Sequence, residues 1–228
     1  MFSEVFIINK PLGITSHDVV NRVRKITHER RVGHAGTLDP LASGVLIVLV
    51  GRSATKRQNE FMGLPKEYEA EITFGYESDT DDAEGPIHQC VTSEQLNQLT
   101  VHNIQQILPE FIGTIQQRPP RYSAIKVGGS PLYKKARRGD TTLKREDIAV
   151  RSVQIDHIEI LDFTPATTDH SPRLRINIQC QKGVYIRSLA YDIGKRLGVG
   201  AYLSALTRTK IGSYTLENAL SLDQIPKK

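Results

Sequence analysis

The chain has 228 residues, of which 39% are hydrophobic, and a net charge of +5, so it is long and apolar enough for a folded core and is not expected to be disordered. Its longest apolar run, residues 45–50, is far shorter than the roughly 20 residues of a membrane-spanning helix, which argues against a membrane protein. Cys90 and Cys180 stand far apart, which argues against a disulfide scaffold or a zinc site and fits a cytoplasmic protein.

The N-terminal sequence predicts a strand, a turn and a helix. Apolar residues at 5–8 indicate the strand, and the sequence KPLGITS at residues 10–16 indicates the turn. Ser16 is a residue type that caps helices, and apolar residues follow it at helical spacing. These residues are Val19, Val20, Val23 and Ile26. We therefore expect a helix that Ser16 caps.

A glycine-rich loop is predicted to lead into a buried strand. Residues 33–44 contain three glycines and a proline, which are too many helix breakers for a helix. Gly44 then precedes the apolar run at residues 45–50. Asp39 lies within the loop, and an ordered loop can aim a carboxylate at a substrate. Considered alone, this segment favours a turn aspartate that bonds its own backbone.

Further elements are predicted from the periodicity of apolar residues. Polar and apolar residues alternate over 67–74, which predicts a strand with Tyr68 on its apolar face. The other predicted elements are a helix over residues 93–108, strands over residues 150–160 and 174–180, and a helix after Gly183 that ends near Gly198. Because these elements follow no regular βαβ order, the sequence predicts an α+β fold with a mixed, largely antiparallel sheet.

The segment at about 118–151 contains ten basic and three acidic residues. Its glycines and prolines predict an insertion that protrudes from the fold. A surface of this charge suits the phosphates of RNA, and a solvated basic face explains the charge equally well.

A second candidate site lies at residues 183–188, where a strand is predicted to meet a helix. Arg187 in this segment can pair with a carboxylate and keep it ionised, or it can form an ordinary surface ion pair. Tyr68 and Tyr185 are also compatible with simple core packing. The chain contains none of the motifs GxxxxGK[ST], GxGxxG, HExxH and GxSxG, so the usual signatures of nucleotide and catalytic zinc sites are missing.

The sequence GHAGTLDPLASGVLIVLVG at residues 33–51 resembles the catalytic motif of the TruB family of tRNA pseudouridine synthases, in which the aspartate is essential. Six other segments also resemble motifs of that family and occur in the family's order. They are KPLGITS (10–16), KEYEAEITFG (66–75), SDTDDAEG (78–85), RPPRYSAIK (118–126), LYKKARRG (132–139) and GVYIRSLAYDIG (183–194). The resemblance covers nearly the whole chain and implies the pseudouridine synthase fold.

The resemblance implies that the chain isomerises the T-loop uridine of tRNA, position 55, to pseudouridine by flipping the base, with no cofactor and no metal. It implies that Asp39 is the catalytic residue, that Arg187 is the partner of Asp39 and that Tyr68 stacks on the target base. Residues expected to bind the substrate are His34, Tyr185, Leu206, Lys10, Arg121, Lys126, Lys134, Lys135, Arg137 and Arg138.

The resemblance also implies a domain organisation and a partner. We expect one catalytic domain over residues 1–228, with an RNA-binding insertion at about 118–151, called the thumb below, and no appreciable C-terminal PUA-type domain. The expected partner is tRNA, and the expected state is a cytoplasmic monomer without an obligatory protein partner. The alternatives are a tRNA-binding folding helper and a guide-RNA-dependent relative that works in a multi-protein particle.

Overall fold

The structure is a computed structural model that describes residues 4–123, 125–127, 130–132 and 145–226, with the backbone alone for residues 126, 127, 130 and 131. The strands are β1 (Glu4–Lys10), β2 (Val32–Ala35), β3 (Ala42–Val50), β4 (Lys66–Phe74), β5 (Tyr76–Ser78), β6 (Ile87–Gln89), β7 (Gly113–Gln117), β8 (Lys126–Val127), β9 (Ser130–Pro131), β10 (Arg151–Thr164), β11 (Arg173–Cys180), β12 (Ala201–Ile211) and β13 (Tyr214–Thr215).

The α-helices are α1 (Ser16–Thr27), α2 (Arg52–Lys56), α3 (Gln58–Gly63), α4 (Ser93–Asn97), α5 (Val101–Ile107) and α6 (Ile186–Leu197). Short 3-10 helices occur at Leu108–Phe111, Arg145–Asp147, Leu216–Asn218 and Leu222–Gln224.

One sheet of nine strands has the order β1-β3-β12-β4-β11-β10-β7, with β2 paired to β3 and β13 paired to β12. The pairs β1–β3, β2–β3, β7–β10 and β12–β13 are antiparallel, and the pair β3–β12 is parallel. Two shorter pairs, β5–β6 and β8–β9, form separate two-stranded sheets. The predicted α+β fold with a mixed, largely antiparallel sheet is confirmed.

The chain folds into two compact units. The first comprises Met1–Glu69, Ile178–Lys182 and Leu206–Lys228, and the second comprises Ala70–Asn177 and Gly183–Ala205. In the first unit β3 is buried on both faces, because Leu46 and Val48 pack with α1 while Ile47 and Leu49 pack in a second apolar cluster. Burial on both faces explains why the apolar run of β3 is continuous rather than alternating.

In the second unit the predicted periodicities of β11 and α6 are confirmed. Leu174 and Ile176 in β11 are buried, while the residues between them are more exposed. Helix α6 buries Leu189 and Ile193 and ends at Gly198, whose backbone is left-handed with φ of 74°. Glycine adopts this conformation without the steric cost that other residues have, so the predicted helix end is confirmed.

The prediction that Ser16 caps α1 is wrong. Thr15 is the N-cap: its side chain accepts a hydrogen bond from the Asp18 amide at 3.1 Å, and the Asp18 carboxylate accepts one from the Thr15 amide at 2.9 Å. This reciprocal arrangement is a capping box. The hydroxyl of Ser16 instead forms a tertiary contact, which is described below.

Two other predicted elements differ in their boundaries. The stretch over residues 93–108 is two short helices, α4 and α5, because Thr92 and Thr100 each form a capping box and begin a helix of their own. The glycine-rich stretch over residues 33–44 is not all loop, since β2 pairs with β3 from Val32 to Ala35. Its loop is therefore limited to residues 36–41, called the Asp39 loop below.

Candidate active site

Asp39 is half-buried in the loop that closes the β2–β3 hairpin. The ladder of this hairpin ends at the pair Ala35 and Ile47, and the chain then turns through the Asp39 loop before β3 begins. The carbonyl of Asp39 accepts a hydrogen bond from the amide of Ala42 at 3.0 Å. The backbone of Asp39 is thus tied to the first residue of a fully packed strand.

The turn KPLGITS holds the Asp39 loop on both sides of the aspartate. The Ser16 hydroxyl bonds both the amide and the carbonyl of Leu38, at 2.8 and 2.9 Å. On the other side, the amide of Gly13 donates to the carbonyl of Pro40 at 2.9 Å. Two motifs that the sequence presents separately therefore form one site, and the residues flanking Asp39 are fixed.

The buried side chain of Arg208 in β12 bonds the backbone on both sides of the Asp39 loop. This side chain is 1% exposed, and its Nε and Nη2 atoms donate to the carbonyls of Val45 at 2.7 Å and Gly36 at 2.9 Å. The backbone of Arg208 is in register with Gly44, where a Cβ atom would lie 2.2 Å from the Arg208 carbonyl oxygen. Only glycine at this position allows the two strands to approach so closely.

Lys10 is in register with Gly44 from the other neighbouring strand, and its side chain is fully buried. Its ammonium donates to the carbonyls of Pro11 at 2.8 Å and Ile14 at 2.7 Å. These bonds shape the turn that holds the Asp39 loop. The structure thus gives Lys10 a structural role, while its predicted contact with the substrate stays a prediction.

Tyr68 is buried on β4, as the alternating sequence predicts. Burial raises the pKa of its phenol, the positive charge of Arg208 opposes that rise, and the negative charge of Asp39 adds to it. The phenol is therefore neutral at physiological pH and can donate a hydrogen bond. Two of the three predicted catalytic residues, Asp39 and Tyr68, lie within electrostatic range of each other.

His34 and Lys66 share this environment. Burial lowers the pKa of both side chains, that of Lys66 to about 8, and the charge of Arg208 lowers both further. His34 is therefore uncharged at neutral pH. Its Nδ1 atom is buried and has no hydrogen-bond partner among the described residues, while its backbone carbonyl accepts from the side-chain Nε2 of Gln58 at 2.7 Å.

Leu206 lies beside the end of the Asp39 loop. It is buried on β12 and in register with Ala42, the residue whose amide bonds the Asp39 carbonyl. The structure of the first unit therefore assembles five predicted site residues around one loop. They are Lys10, His34, Asp39, Tyr68 and Leu206.

Arg187 occupies the first turn of α6 in the second unit and is 6% exposed. Its guanidinium donates to the carbonyls of Thr80 at 3.1 Å and Tyr122 at 2.9 Å, and Nη1 lies 3.5 Å from the Asp82 carboxylate. The motifs SDTDDAEG and RPPRYSAIK thus converge on Arg187. The pairing of Arg187 with Asp39 stays a prediction.

Tyr185 is the residue before α6, and Gln117 at the end of β7 holds its backbone. The Gln117 side chain accepts from the Tyr185 amide at 2.8 Å and donates to the Tyr185 carbonyl at 3.1 Å. Gln117 is itself 1% exposed, so both ends of its amide are committed to this contact. The direction in which α6 starts, and with it the backbone next to Arg187, is therefore fixed.

The base of the thumb is closed by Arg118 and anchored by Arg145. The guanidinium of Arg118 donates to the carbonyls of Glu146 and Ile148, which joins the two ends of the thumb. Arg145 pairs with the buried Asp81 and lies 3.8 Å above the ring of Tyr191. Both contacts fix described residues near the two ends of the thumb.

The predicted RNA-binding residues of the thumb fall mostly outside these contacts. Arg121 is half-buried, and only the backbone of Lys126 is described. The predicted residues that lie outside the described part of the chain are Lys134, Lys135, Arg137 and Arg138. Their contact with RNA stays a prediction.

Asp192 in α6 adjoins the Arg145 cluster. Burial raises the pKa of its carboxyl to about 6, the positive charge of Arg145 opposes that rise, and the negative charge of Asp81 adds to it. A raised pKa in a carboxylate marks a site at which the charged form is disfavoured.

Several site residues are absent from the sequence prediction, chiefly Arg208 and Asp82. Arg208 had a local signal, because it stands two residues after Leu206 and so on the apolar face of a strand, where a cation is unusual. Asp82 had none beyond its place in an acidic segment, where most carboxylates are exposed.

None of the helices in the described part of the chain is long and apolar enough to cross a membrane.

Two adjoining family models together match residues 24–228. The model described as TruB family pseudouridylate synthase (N terminal domain) matches residues 24–186, and the model described as tRNA pseudouridylate synthase B C-terminal domain matches residues 187–228.

Relatives and solved structures agree with these models. Proteins named tRNA pseudouridine synthase B from Desulfotalea psychrophila and Gloeobacter violaceus are each 46% identical to this chain. The alignments cover 95% of the chain and 85% of the first relative, and 94% of the chain and 70% of the second. A solved chain from a Cbf5-Nop10-Gar1 complex is 31% identical to this chain, with a TM-score of 0.69. The match covers 97% of this chain and about half, 53%, of the solved chain.

Proposed function

The chain belongs to the TruB family of pseudouridylate synthases, and we propose that it isomerises the T-loop uridine of tRNA, position 55, to pseudouridine with Asp39 as the essential residue. The protein is an isomerase that acts on tRNA uridine. The observation that carries the assignment to Asp39 is the construction of its loop. The backbone is bonded on both sides of the aspartate, and Tyr68 is buried within range of its charge.

The reaction breaks the bond between C1′ and N1 of uridine, turns the uracil and joins C1′ to C5. The hydrogen on C5 is replaced and N1 gains one, so atoms and electrons balance without a cofactor. An ionised Asp39 at the sugar either attacks C1′ or removes the proton at C2′, and in both routes it stabilises positive charge on the sugar. A carboxylate held by a rigid loop serves both routes because its position does not change as the base turns.

The other residues support the flipped base. Unstacking the uridine costs a few kcal/mol, which protein contacts offset. Tyr68 offers a flat surface worth roughly 1–3 kcal/mol of stacking, and its neutral phenol is suited to moving the C5 proton. His34 is uncharged at neutral pH and is assigned to a nucleotide of the opened T loop.

Arg187 and Tyr185 complete the proposed site. A buried guanidinium such as that of Arg187 favours the ionised form of a nearby carboxylate, and we assign it to Asp39 as its partner. Tyr185 and Leu206 are assigned to the pocket of the base. The thumb supplies phosphate contacts, which give affinity and salt dependence without sequence discrimination.

We further propose that the protein acts as a cytoplasmic monomer and needs no protein partner or guide RNA. A single catalytic domain over residues 1–228, with the thumb as its RNA-binding insertion, is the proposed organisation. The likeness to the Cbf5 chain keeps a guide-dependent activity as the second candidate.

The experiment is to incubate the protein with one unmodified tRNA transcript labelled with tritium at C5 of uracil and to map every pseudouridine formed. We expect tritium release and a single modified uridine, in the T loop, without any guide RNA. Activity only after a guide RNA and partner proteins are added would favour the second candidate.

Asp39→Asn tests the catalytic assignment in the same assay. We expect binding of tRNA to persist while pseudouridine formation disappears, and Asp162→Asn, a change at an exposed carboxylate of β10, to leave both unchanged. An Asp39→Asn protein that forms pseudouridine at the wild-type rate would show that the carboxylate is not essential and would contradict the proposed mechanism.

A further inference from the structure

We propose that Arg208 is a positioning residue for catalysis: its guanidinium ties the carbonyl of Gly36 to that of Val45 and thereby fixes the loop that presents Asp39. This inference rests on the proposed function, because the position of the Asp39 loop matters for turnover only if Asp39 is catalytic. Arg208 is buried and is assigned no contact with the substrate, and its guanidinium also bonds the phenol of Tyr68.

The backbone pairing of the β2–β3 hairpin stops short of the Asp39 loop. Strands β2 and β3 pair as far as Ala35 and Ile47. Gly36 follows Ala35 by one residue, and Val45 precedes Ile47 by two residues. The β2–β3 ladder does not extend to these two residues. Arg208 takes over at this point, since its Nε and Nη2 atoms bond Val45 and Gly36 at 2.7 and 2.9 Å.

Placing a cation at this buried position costs free energy. The Arg208 side chain is 1% exposed, and its position on β12 follows Leu206 on the apolar face of the strand. An apolar residue of similar volume would avoid the desolvation of a guanidinium, which is expensive in a protein interior. Core packing alone therefore does not account for arginine at this position, whereas its bonds to the carbonyls of Gly36 and Val45 and to the phenol of Tyr68 do.

The two carbonyls are bonded by two different nitrogens of the Arg208 guanidinium, Nε and Nη2. These nitrogens lie in one rigid plane and hold the acceptors at a fixed separation, whereas lysine would offer one nitrogen on a flexible chain at this position. Two glycines next to Arg208 provide the space for it. Gly36, with φ of 88°, has its missing Cβ 3.5 Å from Nη1, and Gly44 allows the backbone of Arg208 to come close.

The test compares Arg208→Lys and Arg208→Met with the wild type in three measurements. These are the single-turnover rate of pseudouridine formation at saturating enzyme, the Kd for tRNA, and hydrogen exchange of residues 36–42 relative to α1. We expect the rate to fall about 100-fold in Arg208→Met and about 10-fold in Arg208→Lys, because a small misplacement of a catalytic group is costly. The Kd should change less than threefold, since the side chain is buried, and exchange should rise in residues 36–42 alone.

Val48→Ala is the matched control. It truncates a fully buried side chain of β3 that packs toward α1, so it lowers stability without touching the Asp39 loop. We expect its rate to stay within threefold of the wild type at a temperature where all variants are folded, and its exchange to rise in α1 and in residues 36–42 together.

Each outcome separates the hypotheses. A folded Arg208→Lys protein with the full wild-type rate would overturn the two-point positioning role. If Arg208→Met does not fold, Arg208→Lys alone decides. Equal losses of rate in Arg208→Lys and Val48→Ala would reduce Arg208 to a stability residue. A wild type that forms no pseudouridine would instead contradict the proposed function.

Discussion

The hydroxyl of Ser16 donates to the carbonyl of Leu38 and accepts from the amide of the same residue, so one side chain satisfies both polar groups of the residue next to Asp39. Ser16→Ala leaves these buried groups without partners, at a cost of roughly 1–3 kcal/mol. Because the loop then shifts, we expect the turnover number to fall at least tenfold with the Kd for tRNA unchanged.

Assays of the turnover number and filter-binding measurements of the Kd for tRNA, made on the Ser16→Ala protein, check this prediction. Ser53→Ala, a change at an exposed serine of α2, is the control and should leave turnover and stability unchanged. Wild-type turnover in Ser16→Ala would mean that the bonds to Leu38 hold the fold but not the position of the catalytic carboxylate.

Gly44 of β3 is in register with Lys10 of β1 on one side and with Arg208 of β12 on the other, and the side chains of both are buried. Its φ is 103°, and a Cβ atom would meet the carbonyl oxygen of Arg208 at 2.2 Å. Gly44→Ala combines backbone strain with a steric clash, so we expect it to lower the free energy of unfolding by about 3 kcal/mol or more. Chemical denaturation with urea measures the change.

Gly63→Ala is the matched control for Gly44→Ala. Gly63 has an ordinary backbone conformation and open space where its Cβ would lie. This substitution reduces the freedom of the unfolded chain without a clash, so the free energy of unfolding should stay the same or rise by up to about 1 kcal/mol. Equal effects of the two substitutions would contradict the close approach of β3 to β12.

Asp192 predicts a pH dependence of stability. Burial raises the pKa of its carboxyl from 3.8 to about 6 in the folded protein. Between these two values the folded state holds a proton that the unfolded state has released, so the contribution of Asp192 to stability is present at pH 4 and is lost as the pH rises through 6. The loss is on the order of 1–3 kcal/mol.

Asp192→Asn removes this titration while keeping the size of the side chain. The free energy of unfolding of Asp192→Asn minus that of the wild type should therefore increase between pH 4 and 7 and level off above. Urea denaturation at four pH values measures it, and Asp162→Asn, at an exposed position, should give a flat difference. A flat difference for Asp192→Asn as well would show that its carboxyl titrates normally.

The sequence predicts most accurately those elements in which the spacing of apolar residues can be explained only by burial of one face. The alternation in β4 and β11 and the helical spacing in α1 and α6 each reflect burial of one face, and Tyr68 is buried as its place in β4 requires. The break between α4 and α5 is missed because their apolar residues continue the same helical spacing, while capping by Thr100 is a local choice.

The site is predictable from the sequence only in part, for a physical reason. The resemblance identifies Asp39 and its motif, but the contacts that hold the loop join residues far apart in the chain. Ser16 and Leu38 are 22 residues apart, and Arg208 and Gly36 are 172 residues apart. Nothing in the local sequence of Ser16 distinguishes a tertiary bond from a helix cap, since a serine hydroxyl can form either.

The thumb is predicted to bind the phosphates of tRNA. Its four basic residues Lys134, Lys135, Arg137 and Arg138 are expected to contact phosphates, so replacing all four by Gln should weaken tRNA binding and flatten its salt dependence. Each lost contact lowers the slope of log K against log salt by about one, so the slope should fall by about three to four. Turnover at saturating tRNA should stay near the wild-type value, because phosphate contacts do not act on the reacting atoms.

Exchanging the cations, with Lys134→Arg, Lys135→Arg, Arg137→Lys and Arg138→Lys in one protein, is the matched control. It keeps the charge at every position and should preserve both the affinity and the salt slope, because non-specific phosphate binding depends on charge. A full wild-type slope in the neutral variant would remove these residues from the interface. A loss of affinity in the exchanged variant would instead indicate contacts that need the specific geometry of arginine or lysine.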